Sequence, residues 1–196
     1  MTLTDTPPNT NMWRDDAENL LPDLVELRRA IHREPELGLQ NPKTLAKIKA
    51  ALAGLPLEFR EGPSTTGLLA ILRGPSNGRT VLLRGDMDAL PLHEDTGLDF
   101  ASETTGAMHA CGHDTHVAML VGAAKMLCAR QEQLTGTVYF MFQPGEEGHH
   151  GARFMLDDGL LDRKMLGDGL HLEVVADHHA GEAEFLPEHT LQHRAA

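Results

Sequence analysis

The chain has 196 residues, 41% of them hydrophobic and 23% charged, as in soluble globular domains and unlike disordered or fibrous proteins. Its 29 acidic and 17 basic residues give a formal net charge of -12, which disfavours nucleic acid and anionic membranes as partners. The first residues lack a signal-peptide pattern, and no apolar run approaches the roughly 20 residues of a membrane-spanning helix. These features predict a cytoplasmic protein with one principal domain.

The amino-terminal part of the chain predicts two helices. Apolar residues recur with the spacing of one helical face at Leu20, Leu24, Leu27 and Ile31. Pro22 suits the first turn of this helix, which we expect to end near Arg33. Asn41 and Pro42 form a cap and first turn, and they predict a second helix that stops at Gly54.

The middle of the chain alternates predicted strands and helices. The apolar runs 67–72 and 80–83, separated by a turn rich in glycine and proline, predict neighbouring strands. Residues 114–130 carry one apolar stripe and predict a helix. The continuously apolar segment 136–142 predicts a strand buried on both faces of a sheet, and a short helix is expected over 152–157. This alternation predicts an α/β sandwich in which the loops after the strands form the working surface.

The two cysteines are not expected to form a disulfide bond. If the segment between Cys111 and Cys128 is helical, they lie about 20 Å apart, which is beyond the reach of a bridge. Unpaired cysteines fit a reducing compartment. The chain also has 12 histidines, and this excess raises the expectation of a metal site without placing one.

Three clusters of potential metal ligands and acid–base groups follow predicted strands, at residues 85–88, 109–114 and 143–148. Cys111 and His113 lie two residues apart, so an extended backbone would direct both side chains the same way. A thiolate with an imidazole favours zinc or a similar transition ion over magnesium or calcium. This pair is therefore a candidate chelate.

Carboxylates complete the three clusters. The adjacent side chains of Glu146 and Glu147 are expected to diverge, so that one binds metal while the other accepts a proton from water. Asp86 and Asp88 are candidates to orient the ligands. Taken singly, each of these residues has an ordinary structural interpretation, and their joint occurrence at strand ends favours a site. The histidines in polar or turn contexts are interpreted as ordinary residues without a partner: His32, His93, His149 and His150.

Four sequence strings together resemble the hippurate hydrolase, N-acyl-amino-acid amidohydrolase and auxin-conjugate hydrolase group of dinuclear metallopeptidases. In chain order they are LRRAIHREPEL at 27–37, RGDMDALP at 84–91, HACGHD at 109–114 and FQPGEEG at 142–148. The resemblance covers about residues 20–161. It implies the mixed-sheet α/β/α sandwich of the zinc peptidases.

The resemblance also implies roles for individual residues. The metal ligands would be Cys111, His113, Glu147 and His171. Glu146 would be the general base. Beside what the resemblance implies, Asp88, one of the two candidate orienting carboxylates, is predicted to be a second catalytic residue. Two divalent ions, of zinc, manganese, cobalt or nickel, would activate a water that hydrolyses the amide bond of a small N-acyl amino acid such as hippurate. Pairing of subunits into a homo-oligomer is also expected from the family.

The last part of this sequence differs from the family, whose members are considerably longer. Residues 1–12 are interpreted as a flexible arm, residues 13–161 as part of a catalytic domain, and residues 162–196 as an atypical tail that is disordered or frameshifted. Two hypotheses follow from this division. The chain is either a metal-dependent amidohydrolase or a truncated, catalytically inactive fragment that binds metal.

Overall fold

The computed structural model describes residues 10–161 and the backbone of residues 171–174. Two helices and then three strands come first, and helices and strands alternate after them. The α-helices are α1 (Thr10–Arg33), α2 (Pro42–Ala51), α3 (His113–Cys128) and α4 (Gly151–Asp157), and a 3-10 turn spans Gln131–Gln133. The strands are β1 (Glu58–Glu61), β2 (Leu68–Arg73), β3 (Ser76–Asp86), β4 (Thr135–Gln143) and β5 (His171–Val174).

The five strands form one mixed sheet in the order β1-β2-β4-β3-β5. β1 pairs antiparallel with β2, and β2 pairs antiparallel with β4. β3 pairs parallel with β4 on one side and with β5 on the other. The prediction that β2 and β3 are neighbours is wrong, because β4 lies between them. β4 is continuously apolar over residues 138–142, and its central position lets it bury both faces.

Side chains of β2 and β4 alternate between two hydrophobic cores, as the pleat of a strand requires. The first core joins one face of the sheet to α1, α2 and α3, and it includes Leu68, Ala70, Leu72, Phe140, Phe142, Ile31, Ile48 and Val117. The second core joins the other face to α4 and the turn after it, and it includes Leu69, Ile71, Tyr139, Met141, Met155 and Leu160. The predicted α/β/α sandwich with a mixed sheet is therefore confirmed.

Helix α1 begins at Thr10 and not near Pro22, where the sequence placed its first turn. Pro22 lies inside the helix, where it provides no N–H donor for the helical hydrogen bonds. Packing compensates for that loss, because Leu24, Leu27 and Ile31 all contribute to the first core. Residues 1–9 lie outside the described residues.

Helix α2 begins as predicted, with Asn41 at the N-cap position and Pro42 in the first turn. The Asn41 side chain makes no capping hydrogen bond. The backbone N–H groups of Lys43 and Thr44 donate instead to the Glu36 carboxylate, at 3.1 and 2.8 Å. A carboxylate at a helix amino terminus satisfies free N–H groups and opposes the helix dipole, so Glu36 takes the role of the cap.

Removing the centre of the first core should cost much of the stability of the fold. Phe140 is fully buried in β4, and we expect Phe140→Ala to lower the free energy of unfolding by about 3–5 kcal/mol. Urea unfolding followed by circular dichroism measures this change. The control is Phe154→Ala on α4, where the side chain is 38% exposed and the expected cost is below about 1 kcal/mol. Equal losses in both variants would contradict this account of the core.

No helix among the described residues combines the length and the apolar character needed to cross a bilayer. The two cysteines are both unpaired, as predicted, with Cys111 partly buried and Cys128 buried.

Candidate metal centre

The predicted ligands lie at one edge of the sheet, where the parallel strands β3 and β4 end. Asp86 and Gln143 are the last residues of these strands and face each other in register. The loops that follow are tied together because the N–H of Met87 donates to the carbonyl of Gln143 at 2.9 Å. The amino terminus of α3 reaches the same edge and brings His113 with it.

Three of the predicted ligands converge. One potential ligand atom from each of Cys111, His113 and Glu147 lies within 4.8 Å of the other two. The extended backbone predicted between Cys111 and His113 is wrong, because Gly112 has φ +85° and His113 is the first residue of α3. A glycine adopts this left-handed conformation without steric cost, so the turn, and not a strand, brings the thiol and the imidazole together.

His113 is oriented by a backbone group. Its Nδ1 donates a hydrogen bond to the carbonyl oxygen of Asp88 at 2.7 Å. This bond leaves Nε2 directed at three carboxylates: Asp86 Oδ1 at 3.6 Å, Glu146 Oε2 at 3.7 Å and Glu147 Oε1 at 3.9 Å. A second nitrogen bound to a carbonyl is the usual way in which a metal-ligating histidine is held in place.

The two glutamates do not diverge as predicted. They lie on a turn after β4, and both carboxylates approach the same nitrogen of His113. The turn is held by Asp88, whose fully buried carboxylate accepts the N–H of Glu146 at 2.9 Å and of Glu147 at 3.1 Å. Asp88 therefore binds both the histidine and the glutamate turn. Its contacts are those of a residue that positions the site.

The donor set fits a transition-metal ion. Glu147 Oε1 is buried, and it has no hydrogen-bond partner among the described residues. A buried carboxylate oxygen without a donor is costly unless a cation is bound to it. A thiolate, an imidazole nitrogen and a carboxylate oxygen are the ligands that zinc accepts in tetrahedral sites.

Electrostatics at the site favour the protonated forms of His113 and Cys111 until a cation binds. Burial alone would lower the pKa of His113, but the hydrogen bond to Asp88 and the charges of Asp86 and Asp88 raise it to about 9. Burial and the neighbouring carboxylates, Glu147 first, raise the pKa of the Cys111 thiol to about 12. Burial also raises the pKa of Glu146, and the charges of Asp86 and Glu147 add to the effect.

Sequence reasoning missed a second cluster that shares His113. Potential ligand atoms of Asp86, His113 and His116 also lie within 4.8 Å of one another, and all three residues are buried. His116 Nδ1 donates to Asp86 Oδ1 at 2.6 Å, and Arg84 lies 3.2 Å from the other carboxylate oxygen. The signal in the sequence is that His113 and His116 are three residues apart, which places them on one side of α3.

The interpretation of His32 as a polar residue without a partner is wrong. His32 is 2% exposed, and its Nδ1 donates to the Asp114 carboxylate at 2.7 Å. Its Nε2 lies 3.2 Å from a carboxylate oxygen of Glu94. These partners are 82 and 62 residues away in the chain, so no local pattern could have revealed them. The other histidines given that interpretation, His93, His149 and His150, are exposed.

For His171 the structure describes only the backbone, which lies in β5. Its backbone opens β5 opposite Val81, whereas the site forms beyond Asp86 at the other end of β3. Five residues of strand separate these two levels of the sheet, which corresponds to about 16 Å. Its role as a ligand stays a prediction.

Weakening the hold of Asp88 should loosen the metal centre. In Asp88→Asn the backbone N–H of either Glu146 or Glu147 loses its acceptor and faces the NH2 group of the asparagine, so the glutamate turn is displaced. We expect the dissociation constant for Zn²⁺ to rise by about 10–100-fold, the usual effect of changing a partner of a metal ligand. Competition with a chelating dye measures it. Asp99→Asn, at an exposed residue, is the control, and an unchanged constant in Asp88→Asn would contradict the positioning role.

Two curated relatives are similar in sequence to most of this chain. N-acetylcysteine deacetylase of Bacillus subtilis (strain 168) is 42% identical over 149 residues, which is 76% of this chain and 39% of the relative. IAA-amino acid hydrolase ILR1-like 5 of Arabidopsis thaliana is 41% identical over 149 residues, 76% of this chain and 34% of that protein. The chain thus spans less than half the length of these relatives.

Solved structures share the fold. The Bacillus subtilis YXEP protein, described as a dinuclear metal binding peptidase from the M20 family, has a TM-score of 0.70 and 42% identity; the match covers 74% of this chain and 41% of that one. A putative aminohydrolase from methicillin resistant Staphylococcus aureus has a TM-score of 0.74 and 34% identity, over 82% of this chain and 40% of that one.

The resemblance stated from the four strings is confirmed by these relatives and by a family model. The model of Peptidase family M20/M25/M40 matches residues 82–192, more than half of the chain and including both strand ends that carry the cluster. The chain therefore belongs to the M20/M25/M40 peptidase family.

Proposed function

We propose that this chain carries the metal-binding core of a metal-dependent amidohydrolase that cleaves the amide bond of small N-acyl amino acids. The observation that carries the proposal is the convergence of Cys111, His113 and Glu147, with Glu146 beside them. A carboxylate next to a metal-ligand set is the arrangement that hydrolysis of an amide requires, because the reaction needs both an electrophile and a base.

Cys111, His113 and Glu147 would hold the metal. Bound divalent ions, two in the family, supply the positive charge that acidifies a water molecule and polarises the scissile carbonyl. The protein residues supply position. Asp88 holds His113 through its backbone carbonyl and holds both glutamates through its carboxylate, so ligands and base keep a fixed relation.

Glu146 would act as the general base. Its carboxylate lies 3.7 Å from His113 Nε2, so it faces the place where the other ligands converge. Burial and the neighbouring charges of Asp86 and Glu147 raise its pKa, which makes the carboxylate a stronger proton acceptor than an exposed glutamate. It would take a proton from the attacking water and return it to the departing amine.

The substrate class is supported by the relatives. One is named as a deacetylase of N-acetylcysteine and another as a hydrolase of amino-acid conjugates of IAA. Both names describe an amino acid released from a conjugate. We extend this class to the present chain as small N-acyl amino acids, hippurate included, with zinc, manganese, cobalt or nickel as the metal.

A second candidate function is metal binding without catalysis. His113 Nδ1 is bonded to Asp88, so only Nε2 can bind metal, yet both ligand clusters of the described residues use His113. One imidazole nitrogen binds one ion at a time. The described side chains therefore provide a full ligand set for one ion, whereas the family's chemistry employs two.

An activity measurement separates the two candidates. The purified 196-residue chain is incubated with N-acetylcysteine, other N-acetyl amino acids or hippurate, after loading with Zn²⁺, Mn²⁺, Co²⁺ or Ni²⁺, and release of the free amino acid is followed. Amide hydrolysis would require added metal and stop with a chelator. Metal uptake with no release of amino acid from any of these substrates favours the second candidate function, metal binding without catalysis.

A further inference from the structure

The end of helix α1 and the residues after it contact the loop between β3 and α3 and the first turn of α3, although the proposed chemistry does not use them. This segment, residues 28–37, lies within the first string of the family resemblance. We infer that His32 is a positioning residue, which holds the Cys111–His113 turn in the shape that binds metal. The inference rests on the proposed metal centre.

His32 reaches the metal-binding turn through Asp114. Asp114 follows His113 directly in the first turn of α3 and is fully buried. Its Oδ2 accepts a hydrogen bond from His32 Nδ1 at 2.7 Å and lies 2.6 Å from Arg28 Nε. Its Oδ1 accepts the N–H of Thr115 at 2.9 Å. His32 and Arg28 thus hold this carboxylate in place, and with it the first turn of α3, in which His113 is the first residue.

His32 reaches the loop before the turn through Glu94. The Glu94 carboxylate accepts the hydroxyl of Thr96 at 2.5 Å and the N–H of Ser102 at 2.7 Å, so it organises the loop between these residues. The same loop is tied to α1 because the N–H of Glu103 donates to the carbonyl of Arg33 at 2.8 Å. The chain then continues to Cys111. His32 therefore links the two segments on either side of the metal-binding turn.

The same segment also holds the opposite side of the site. The N–H of Ala89 donates to the carbonyl of Glu36 at 2.8 Å, next to Asp88, which binds His113 and the glutamate turn. Phe100 packs against this segment, because its ring meets the His32 ring edge-on with 5.3 Å between the ring centroids. The guanidinium of Arg28 lies 4.8 Å from the centre of the same ring.

Two substitutions of His32 separate its two bonds. The amide nitrogen of an asparagine occupies nearly the position of Nδ1, and that of a glutamine nearly the position of Nε2. His32→Asn therefore keeps a donor for Asp114 and loses Glu94, whereas His32→Gln keeps Glu94 and loses Asp114. If the bond to Asp114 positions the turn, the two variants differ in metal binding although they differ little in size.

The test is a Co²⁺ titration of the full chain, followed by the absorption band that a thiolate bound to Co²⁺ produces. Cys111→Ser assigns the band to Cys111. We expect His32→Asn to bind Co²⁺ within about threefold of the parent, and His32→Gln to bind about 10–100-fold more weakly with an altered band. Leu52→Ala, in the buried part of the core next to α2, controls for lost stability and should leave the band and the affinity unchanged.

A second variant guards against a His32 variant that does not fold. Arg28→Gln removes the guanidinium group, which is the other partner of the Asp114 carboxylate. The Arg28 side chain is 29% exposed, and we expect its replacement to weaken Co²⁺ binding by about tenfold. If His32→Gln folds and binds Co²⁺ with the affinity and spectrum of the parent, the inference is overturned. If His32→Gln does not fold, the same result for Arg28→Gln overturns it. A parent chain with no thiolate band overturns the metal centre itself, and the inference with it.

Discussion

Replacing Glu146 with glutamine should lower kcat for amide hydrolysis by about 10²–10⁴-fold while leaving the metal bound. The amide has nearly the shape of the carboxylate but accepts no proton at neutral pH, so the variant removes the base and keeps the packing. Glu146 is not among the clustered ligand atoms, and its loss should leave Cys111, His113 and Glu147 in place. Steady-state kinetics with an N-acetyl amino acid measure the change.

Two controls make the Glu146 experiment decisive. Metal content, measured by atomic emission, should be the same in the parent and in Glu146→Gln. Glu132→Gln, at an exposed glutamate in the 3-10 turn, should retain the parent kcat. A Glu146→Gln protein that turns over as fast as the parent would exclude Glu146 as the base and would move that role to another group.

Metal affinity should rise steeply with pH. The pKa of His113 is raised to about 9 and that of Cys111 to about 12, so both groups carry protons at neutral pH and must lose them to bind metal. The direction follows from mass action: each proton released makes binding about tenfold stronger per pH unit. With two protons, the association constant should increase by about two log units per pH unit between about pH 6 and 8.

Zinc titrations against a chelator of known pH dependence test this prediction. Cys111→Ser should bind more weakly, and its slope should fall to about one log unit, because a neutral serine releases no proton at these pH values. An affinity for the parent that does not change with pH would show that the ligands are already deprotonated without metal. The assigned electrostatics of His113 and Cys111 would then be wrong.

Much of the fold could be predicted because the relevant signals are local. The apolar stripe over 114–130 and the apolar run over 136–142 correspond to α3 and β4 within two residues at each end. The other features of the fold depend on how distant segments pack together. The short strand β1 has one apolar residue in EFRE and lies at an exposed edge, so it carries no strand signal. The place of β4 between β2 and β3 depends on pairing between distant segments.

The candidate site shows the same division. Cys111, His113, Glu146 and Glu147 could be proposed from two short strings, because each string combines ligand-type side chains with glycine. Their geometry depends on the left-handed turn at Gly112 and on Asp88. The Asp88 carboxylate binds the N–H groups of Glu146 and Glu147, which lie 58 and 59 residues further along the chain. His32 was beyond reach, since its partners are defined only once α1 packs against the loops of the site.

X-ray absorption at the zinc edge of the zinc-loaded chain tests most directly whether the thiol, the imidazole and the carboxylate share one ion. We predict a sulfur neighbour at about 2.3 Å together with nitrogen and oxygen neighbours at about 2.0–2.2 Å. In Cys111→Ser the sulfur shell should disappear while the lighter neighbours remain. A spectrum of the parent without sulfur, or a chain that takes up no zinc, would contradict the metal centre on which the proposed function depends.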